Sequence, residues 1–194
     1  MSPPALILAS TSPYRRALLQ RLGLEFSAQA PGIEERHVPG EAPEARARRL
    51  ASEKARAVAT RAPEAVVIGS DQVAAAGAQV LDKPGDLAGA RAQLSALAGQ
   101  RAHFHTACAV VHRASGLEAL HLDTTVVSVR ALAPAEIERY LERERPFDCA
   151  GSFKVEALGI ALFERIDSED PTALIGLPLI WLAATLRRAG YALP

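Results

Sequence analysis

The sequence has few of the features that mark membrane-bound or disulfide-rich proteins. Its two cysteines, Cys108 and Cys149, are too few for a disulfide framework, and neither lies in a CxxC metal motif. No apolar run is long enough to span a bilayer, and the N-terminus lacks the basic leader of a signal peptide. We therefore expect a cytoplasmic protein with two ordinary thiols and no membrane partner.

The chain also lacks net charge and asparagine. Its 22 basic residues balance its 22 acidic residues, whereas proteins whose main ligand is nucleic acid usually carry a basic excess. We therefore expect no nucleic-acid partner. Only three of the basic residues are lysines: Lys54, Lys83 and Lys154. Either these lysines are retained by chance in a composition that favours arginine, or each occupies a place that needs a compact ammonium group.

The length of 194 residues fits one domain, residues 1–194, with enough chain to bury a core. Apolar periodicity and capping residues predict helices over 13–22, 43–61, 87–97, 134–145 and 178–189. Predicted strands alternate with them, and residues 102–113 and 117–130 are predicted to form a hairpin around a turn at 114–116. "VLDKPGD" is predicted to be a turn. This pattern predicts an α/β domain with a mixed sheet.

The first motif is "LILASTSPYRR", in which a buried strand meets the start of a helix. Ser12 is a suitable N-cap and Pro13 suits the first helical position. Free backbone N–H groups and the helix dipole favour an anion there, and the arginines at 15 and 16 can bind phosphate oxygens bidentately. The alternative is a plain capped helix whose arginines are solvated.

A second motif, "IGSDQV", places Asp71 within an apolar run that belongs in the centre of a sheet. A buried carboxylate destabilises the fold unless it is paired, binds a metal or lies at a strand end, where α/β folds build their sites. Lys54 lies on the apolar stripe of its predicted helix, so its amine either extends to solvent or reaches a polar cleft. Lys83 lies on a turn, where a solvated lysine is the default.

Together these features suit chemistry on a polyphosphate. Glu34 and Glu35 lie on a Pro/Gly-rich loop, and "GSFKVEALG" brings Lys154 and Glu156 into one short segment. Separated carboxylates can hold a hard divalent cation, and phosphoryl chemistry needs cations around the phosphates. Neither an HExxH zinc motif nor a GxSxG nucleophile elbow is present. The residues alone leave open which bond is cleaved and which group is the base.

Five segments, in order and spacing, resemble the Maf family of nucleoside-triphosphate pyrophosphatases: "LILASTSPYRRALLQRLGLEF", "EKA", "IGSDQV", "KP" and "CAGSFKVEALGIALFERIDSEDPTALIGLPL". The resemblance extends over nearly the whole chain. It implies cleavage between the α- and β-phosphates of a nucleotide with Mg²⁺ or Mn²⁺. It also implies a homodimer and a fold like that of inosine-triphosphate pyrophosphatases, with a twisted mixed sheet, flanking helices and two lobes around a cleft.

The resemblance also implies roles for individual residues. Asp71 matches the proton acceptor that activates water. Metal or water is assigned to Glu35, Glu53 and Asp71, although Glu34 can take the role given to Glu35. The positions implied to bind the phosphates of the substrate are Ser10, Arg15, Lys54, Lys83 and Lys154.

Three further residues indicate which nucleobase the protein recognises. Many family members that act on dTTP and UTP have arginine where this chain has Tyr14 and threonine where it has Gln72. The set of Tyr14, Gln72 and Glu156 resembles instead the branch acting on 7-methyl-GTP, where the aromatic residue is often tryptophan. The methylated purine is positively charged, so an aromatic face and a carboxylate both suit it.

Two alternatives stay open. One is a dTTP or UTP pyrophosphatase of the same family. The other is a regulatory or nucleic-acid-binding protein without turnover, since the family is linked to septum formation. A further expectation concerns geometry: if the segment around Lys154 is extended, Lys154 and Glu156 point the same way and Glu156 lines the base end of one cleft with Tyr14 and Gln72.

Overall fold

The computed structural model describes residues 3–77 and 79–194. In this part of the chain the strands are β1 (Leu6–Leu8), β2 (Ser27–Ala28), β3 (Val66–Ala76), β4 (Gln79–Leu81), β5 (Arg101–His112), β6 (Leu117–Val129) and β7 (Phe163–Asp167). The α-helices are α1 (Pro13–Gln20), α2 (Pro43–Arg61), α3 (Leu87–Leu97), α4 (Pro134–Glu144) and α5 (Leu179–Arg188). Short 3₁₀ turns cover Ala150–Ser152, Leu158–Leu162 and Ala173–Ile175.

The strands form one mixed sheet in the order β2-β1-β3-β5-β6-β7, with β4 paired to β3. β1 runs parallel to both β2 and β3, in a register that sets Ile7 opposite Ser27 on one side and Val67 on the other. β3 with β4 and β6 with β7 are antiparallel. β5 and β6 are neighbours joined by a four-residue turn, which only antiparallel strands allow. The predicted mixed α/β sheet and its hairpin are therefore confirmed.

Two predictions of local structure were wrong. β4 was read as part of a turn, but after Gly77, whose φ is 57°, residues 79–81 pair back onto 74–76. The segment around Lys154 is not extended: residues 155–157 form a turn before the 3₁₀ segment. Gly159 explains this, because a Cβ there would lie 2.9 Å from the backbone nitrogen of Lys154. The expected alternation of Lys154 and Glu156 on one strand therefore fails.

The chain divides into two compact units. The first unit contains residues up to 72 with 106–123 and 170–194, and the second contains 73–105 and 124–169. In the first unit, α1 and α5 pack on the strands through a cluster of buried apolar side chains. These are Leu6, Leu8, Leu18, Leu19, Val66, Ile68, Cys108, Val110, Leu177, Leu179, Leu182, Leu186 and Tyr191.

In the second unit, α3 packs against α4, and three aromatic rings stack edge to face. Phe153 contacts Phe104 at 5.1 Å and Phe163 at 4.7 Å between ring centres. Such pairs add roughly 0.5–1.5 kcal/mol beyond the area that they bury. Within the described ranges, no helix combines the length and the apolar character that a bilayer crossing requires.

In the first unit, α2 lies against β3 at Gly69. A Cβ on Gly69 would press on the carbonyl oxygen of Ala51 and lie 2.6 Å from the backbone nitrogen of Ala55. A side chain is absent here because two backbones meet, which is a recurrent use of glycine in a strand. The approach sets α2, which carries Lys54, directly on the strand that carries Asp71.

We expect Gly69→Ala to lower the free energy of unfolding by about 1–3 kcal/mol, because a methyl group there overpacks the contact between helix and strand. Urea unfolding followed by circular dichroism measures the loss. Gly40→Ala is the control for glycine replacement at a place with open space, since a Cβ there meets nothing within 4 Å, although its φ of 75° adds local strain. A Gly69→Ala variant as stable as the wild type would contradict the close packing.

Candidate active site

A buried ammonium group in the first unit holds two carboxylates. Lys54 Nζ donates to Asp71 Oδ1 at 2.6 Å and lies 2.7 Å from Glu35 Oε1. Lys54 and Asp71 are each 6% exposed, whereas the side chain of Glu35 is 48% exposed. The three groups therefore form a small charged cluster with one side open to water.

Each member comes from a different element. The apolar stripe of α2 buries Leu50 and Val58, and Lys54 lies between them on the same face. β3 is buried through most of its length and carries Asp71 near its middle. Of the two interpretations of Lys54, burial in a polar cluster is therefore confirmed and extension into solvent is wrong.

The two carboxylates differ in acidity. Burial raises the pKa of Asp71 above its usual range, although the charges of Lys54 and Arg15 pull it down. Burial also acts to raise the pKa of Glu35, but the hydrogen bond and charge of Lys54 outweigh it and the net pKa is lowered. Asp71 is thus the better proton acceptor and Glu35 the more firmly ionised group.

The start of α1 carries Arg15, whose charge interacts with the carboxylates of Asp71 and Glu35. Ser12 caps the helix by accepting from the backbone N–H of Arg15 at 3.4 Å, and its own N–H donates to Ser10 Oγ at 3.1 Å. Burial lowers the pKa of Arg15, and the nearby charges of Asp71 and Glu35 oppose that effect. The predicted strand, cap and helix start are confirmed, and Arg15 is not a solvated arginine.

Arg15 is held by a backbone carbonyl that sequence reasoning missed. Its Nε donates to the oxygen of Gly176 at 3.0 Å, and the hydroxyl of Ser70 donates to the same oxygen at 2.8 Å. Gly176 has a φ of 127°, and a Cβ there would lie 3.4 Å from Arg15 Nε. A glycine inside "ALIGLP" is the one signal that hints at this approach.

Gln72 is fixed in a similar way. Its Nε2 donates to Thr106 Oγ1 at 2.8 Å and to the carbonyl oxygens of Ala173 and Leu174 at 3.1 and 3.0 Å. The side chain is therefore oriented by the chain itself before any ligand binds. Tyr14 lies half-buried on α1.

The acidic candidates separate in the structure. Glu34 is exposed and pairs with Arg36 at 2.9 Å, so Glu35 is the member of that pair that reaches Lys54. Glu53 Oε2 lies 3.4 Å from Nη1 of Arg49, which is one turn earlier on α2. Among residues 3–77 and 79–194, no three His, Cys, Asp or Glu side chains lie close enough together to hold a metal ion.

The remaining predicted residues belong to the second unit. Lys83 is exposed in an irregular stretch before α3, and Glu156 is exposed in the turn at 155–157. Lys154 is half-buried; its backbone N–H donates to Tyr140 Oη at 3.1 Å, and its Nζ lies 3.9 Å from Glu144 Oε1. Ser152, just before it, adopts a left-handed φ of 62° and donates to Gln93 at 2.7 Å.

Comparison with known proteins places these residues in a family. The chain matches the family described as Maf, Maf-like protein, over residues 5–189. It is 59% identical over 191 residues to a 7-methyl-GTP pyrophosphatase of Xanthomonas oryzae pv. oryzae (strain MAFF 311018), covering 98% of this chain and 100% of that relative. A 7-methyl-GTP pyrophosphatase of Aromatoleum aromaticum is 51% identical over 97% of both chains.

A third relative, the 7-methyl-GTP pyrophosphatase of Nitrosococcus oceani, is 48% identical over 98% of this chain and 96% of its own. These matches run from end to end, so they include the helix start at Ser12, the cluster around Lys54 and the segment around Lys154. With a family match that also covers residues 5–189, the chain belongs to the Maf family.

Proposed function

We propose that this chain is a pyrophosphohydrolase that converts 7-methyl-GTP into 7-methyl-GMP and pyrophosphate and so removes a modified nucleotide from the cytoplasm. The observation that carries the proposal is the buried pair of Lys54 and Asp71, with Glu35 beside it. A buried carboxylate with a raised pKa is a group suited to take a proton. The relatives described above, named 7-methyl-GTP pyrophosphatases, support the same substrate here.

Asp71 acts as the general base. It takes a proton from water as the water oxygen bonds to the α-phosphorus. The bond from that phosphorus to the α–β bridging oxygen breaks, and pyrophosphate leaves with the bridging oxygen. Lys54 donates to Oδ1, so it fixes the carboxylate and leaves Oδ2 to receive the proton. General-base catalysis of this kind contributes roughly 10²–10⁴-fold.

The phosphates bind where the chain offers fixed donors. Ser10 and Arg15 supply a hydroxyl and a guanidinium at the start of α1, where backbone N–H groups also favour an anion. Arg15 is already oriented by Gly176, so little conformational entropy is lost when it binds phosphate. Lys54, Lys83 and Lys154 are proposed to complete the binding of the triphosphate.

We assign a divalent cation, Mg²⁺ or Mn²⁺, to Asp71 and Glu35. The predicted third ligand, Glu53, pairs instead with Arg49 and does not form a cluster of three with them among the described residues. Mg²⁺ is usually held by one or two carboxylates together with substrate phosphates. Lys54 Nζ contacts Oδ1 of Asp71 and Oε1 of Glu35, so the second oxygen of each carboxylate is the one assigned to the cation. Bound there, the cation would neutralise charge on the phosphate oxygens and acidify the attacking water.

We assign recognition of the nucleobase to Tyr14, Gln72 and Glu156. A cationic purine is attracted to an aromatic face by roughly 0.5–2 kcal/mol, and the carboxylate of Glu156 can accept from the guanine edge. Unmethylated GTP has the same edge without the ring charge. It is therefore expected to be the poorer substrate.

A nucleotide panel tests the proposal. Purified protein with Mg²⁺ or Mn²⁺ is given 7-methyl-GTP, GTP, UTP and dTTP, and pyrophosphate and orthophosphate are assayed separately. We expect pyrophosphate release, with the highest kcat/KM on 7-methyl-GTP. Preference for UTP or dTTP would select the other branch, orthophosphate alone would refute the cleaved bond, and no turnover at all would favour a regulatory protein.

Two further features belong to the proposal. We propose that the 194 residues act as one catalytic domain and that the protein is a homodimer. Light scattering on the purified chain measures its mass against the 20.6 kDa of one copy.

A further inference from the structure

The turn of residues 173–176 presents a row of backbone carbonyls to the functional side chains of the first unit. The oxygens of Ala173 and Leu174 accept from Gln72. The oxygen of Gly176 accepts from Arg15 at 3.0 Å and from Ser70 at 2.8 Å. One short segment therefore orients both a residue proposed to read the base and a residue proposed to bind phosphate.

The carbonyls also fix which end of the Gln72 amide faces them. A carbonyl oxygen can only accept, so the NH₂ group must point at the turn. Thr106 Oγ1 is 2.9 Å from the oxygen of Ala173 and donates its one proton there, so it accepts from Gln72. The amide oxygen is thereby turned away from the turn, and Gln72 offers a ligand an acceptor.

The turn is held by Thr172. Its Oγ1 lies 2.6 Å from Asp170 Oδ1 and 2.8 Å from the oxygen of Leu177, and can donate to either. The same oxygen accepts from the N–H of Leu179 at 2.9 Å. Asp170, itself 4% exposed, accepts from the N–H of Ile180 at 2.7 Å. These bonds tie both ends of the turn to the start of α5.

We propose that Thr172 is a positioning residue that acts through the carbonyls of residues 173–176 on Gln72 and Arg15 together. The inference rests on the proposed function, because it assigns Gln72 to the base and Arg15 to the triphosphate. The hydroxyl of Thr172 thereby couples recognition of the nucleobase to binding of the phosphates. The guanine edge carries adjacent N1–H and N2–H₂ donors where uracil has a single N3–H between two carbonyl groups, so guanine suits the acceptor that Gln72 offers better than uracil does.

The test compares Thr172→Val, which removes the hydroxyl, with Thr172→Ser, which keeps it. We expect Thr172→Val to raise KM for 7-methyl-GTP and to lower the kcat/KM ratio of 7-methyl-GTP over UTP by about tenfold, while Thr172→Ser restores both. Thr185→Val is the matched control, because it makes the same change at a buried threonine on α5. It is expected to lose stability without a change in the substrate ratio.

A double-mutant cycle shows whether Thr172 changes the kcat/KM ratio of 7-methyl-GTP over UTP through Gln72. In a Gln72→Ala background, Thr172→Val should lower the substrate ratio no further. If the folded Thr172→Val variant kept the wild-type KM and ratio, the proposal would be wrong. If Thr172→Val does not fold, Thr172→Ala takes its place because it also removes the hydroxyl, and an unchanged KM and ratio in that variant would refute the proposal equally.

The failure of this inference differs from the failure of the proposed function. A wild-type protein that hydrolyses 7-methyl-GTP while Thr172→Val leaves the ratio unmoved refutes the role of Thr172 alone. A wild-type protein without that activity refutes the function, and with it the inference.

Discussion

Asp71→Asn is expected to lower kcat about 10²–10⁴-fold while the protein stays folded. The amide has nearly the shape of the carboxylate, so the packing of β3 is kept. It cannot take a proton, however, and it is a weaker ligand for a divalent cation. Lys54 keeps the carboxylate of Glu35 at 2.7 Å and an amide oxygen in place of Asp71 Oδ1, so its buried ammonium group is not left unpaired and the loss of stability is small.

The measurement is pyrophosphate release under saturating 7-methyl-GTP and metal ion, with circular dichroism and thermal unfolding to establish the fold. Glu34→Gln is the matched control, because it makes the same change of charge at an exposed carboxylate that forms a salt bridge with a surface arginine. It should turn over like the wild type. A folded Asp71→Asn variant with a near-normal kcat would remove Asp71 from the mechanism.

Local signals in the sequence predicted most of the fold. Ser12 and Pro13 marked the start of α1 because capping chemistry needs only neighbouring residues. The apolar stripe of α2 predicted both the helix and its buried face. The apolar run around Asp71 predicted the central strand β3. In each case the residues within one element determine the outcome.

The partners of the site residues were not predictable in the same way. Gln72 bonds to the carbonyls of residues more than a hundred positions away, and a backbone carbonyl is present at every residue. Nothing in the side-chain pattern therefore singles out 173–176 except Gly176. The position of Lys54 on the helix was predicted, but its two carboxylate partners came from a loop and a strand whose approach only the fold determines.

The prediction for the segment around Lys154 failed for a related reason. The expectation that Lys154 and Glu156 point the same way depended on an extended chain, but Gly159 lets the 3₁₀ segment lie directly on the backbone of Lys154. Such an approach of backbone to backbone has no periodic signature. The roles given to Lys154 and Glu156 consequently rest on the family resemblance and on the proposed experiments.

Lys54→Met is expected to lower the free energy of unfolding by about 3–5 kcal/mol at neutral pH, because it leaves Asp71 buried without its charged partner. Methionine keeps the length and the apolar stem of the side chain, so the packing of α2 changes little. Lys83→Met is the control, since Lys83 is exposed and its loss should cost almost nothing. Urea unfolding of both variants and of the wild type gives the comparison.

The pH dependence of that loss separates a charge effect from a packing effect. Lys54 lowers the pKa values of Asp71 and Glu35, so its removal raises both. In the folded variant the two carboxyls then protonate at higher pH than in the wild type, and protonation removes the cost of an unpaired charge. The stability gap between Lys54→Met and the wild type should therefore be largest at neutral pH and narrow as the pH falls. A carboxyl titration by NMR without metal should place the pKa of Asp71 higher in the variant. A gap that stayed constant down to acidic pH would mean that Lys54 stabilises the fold by packing, not by its charge.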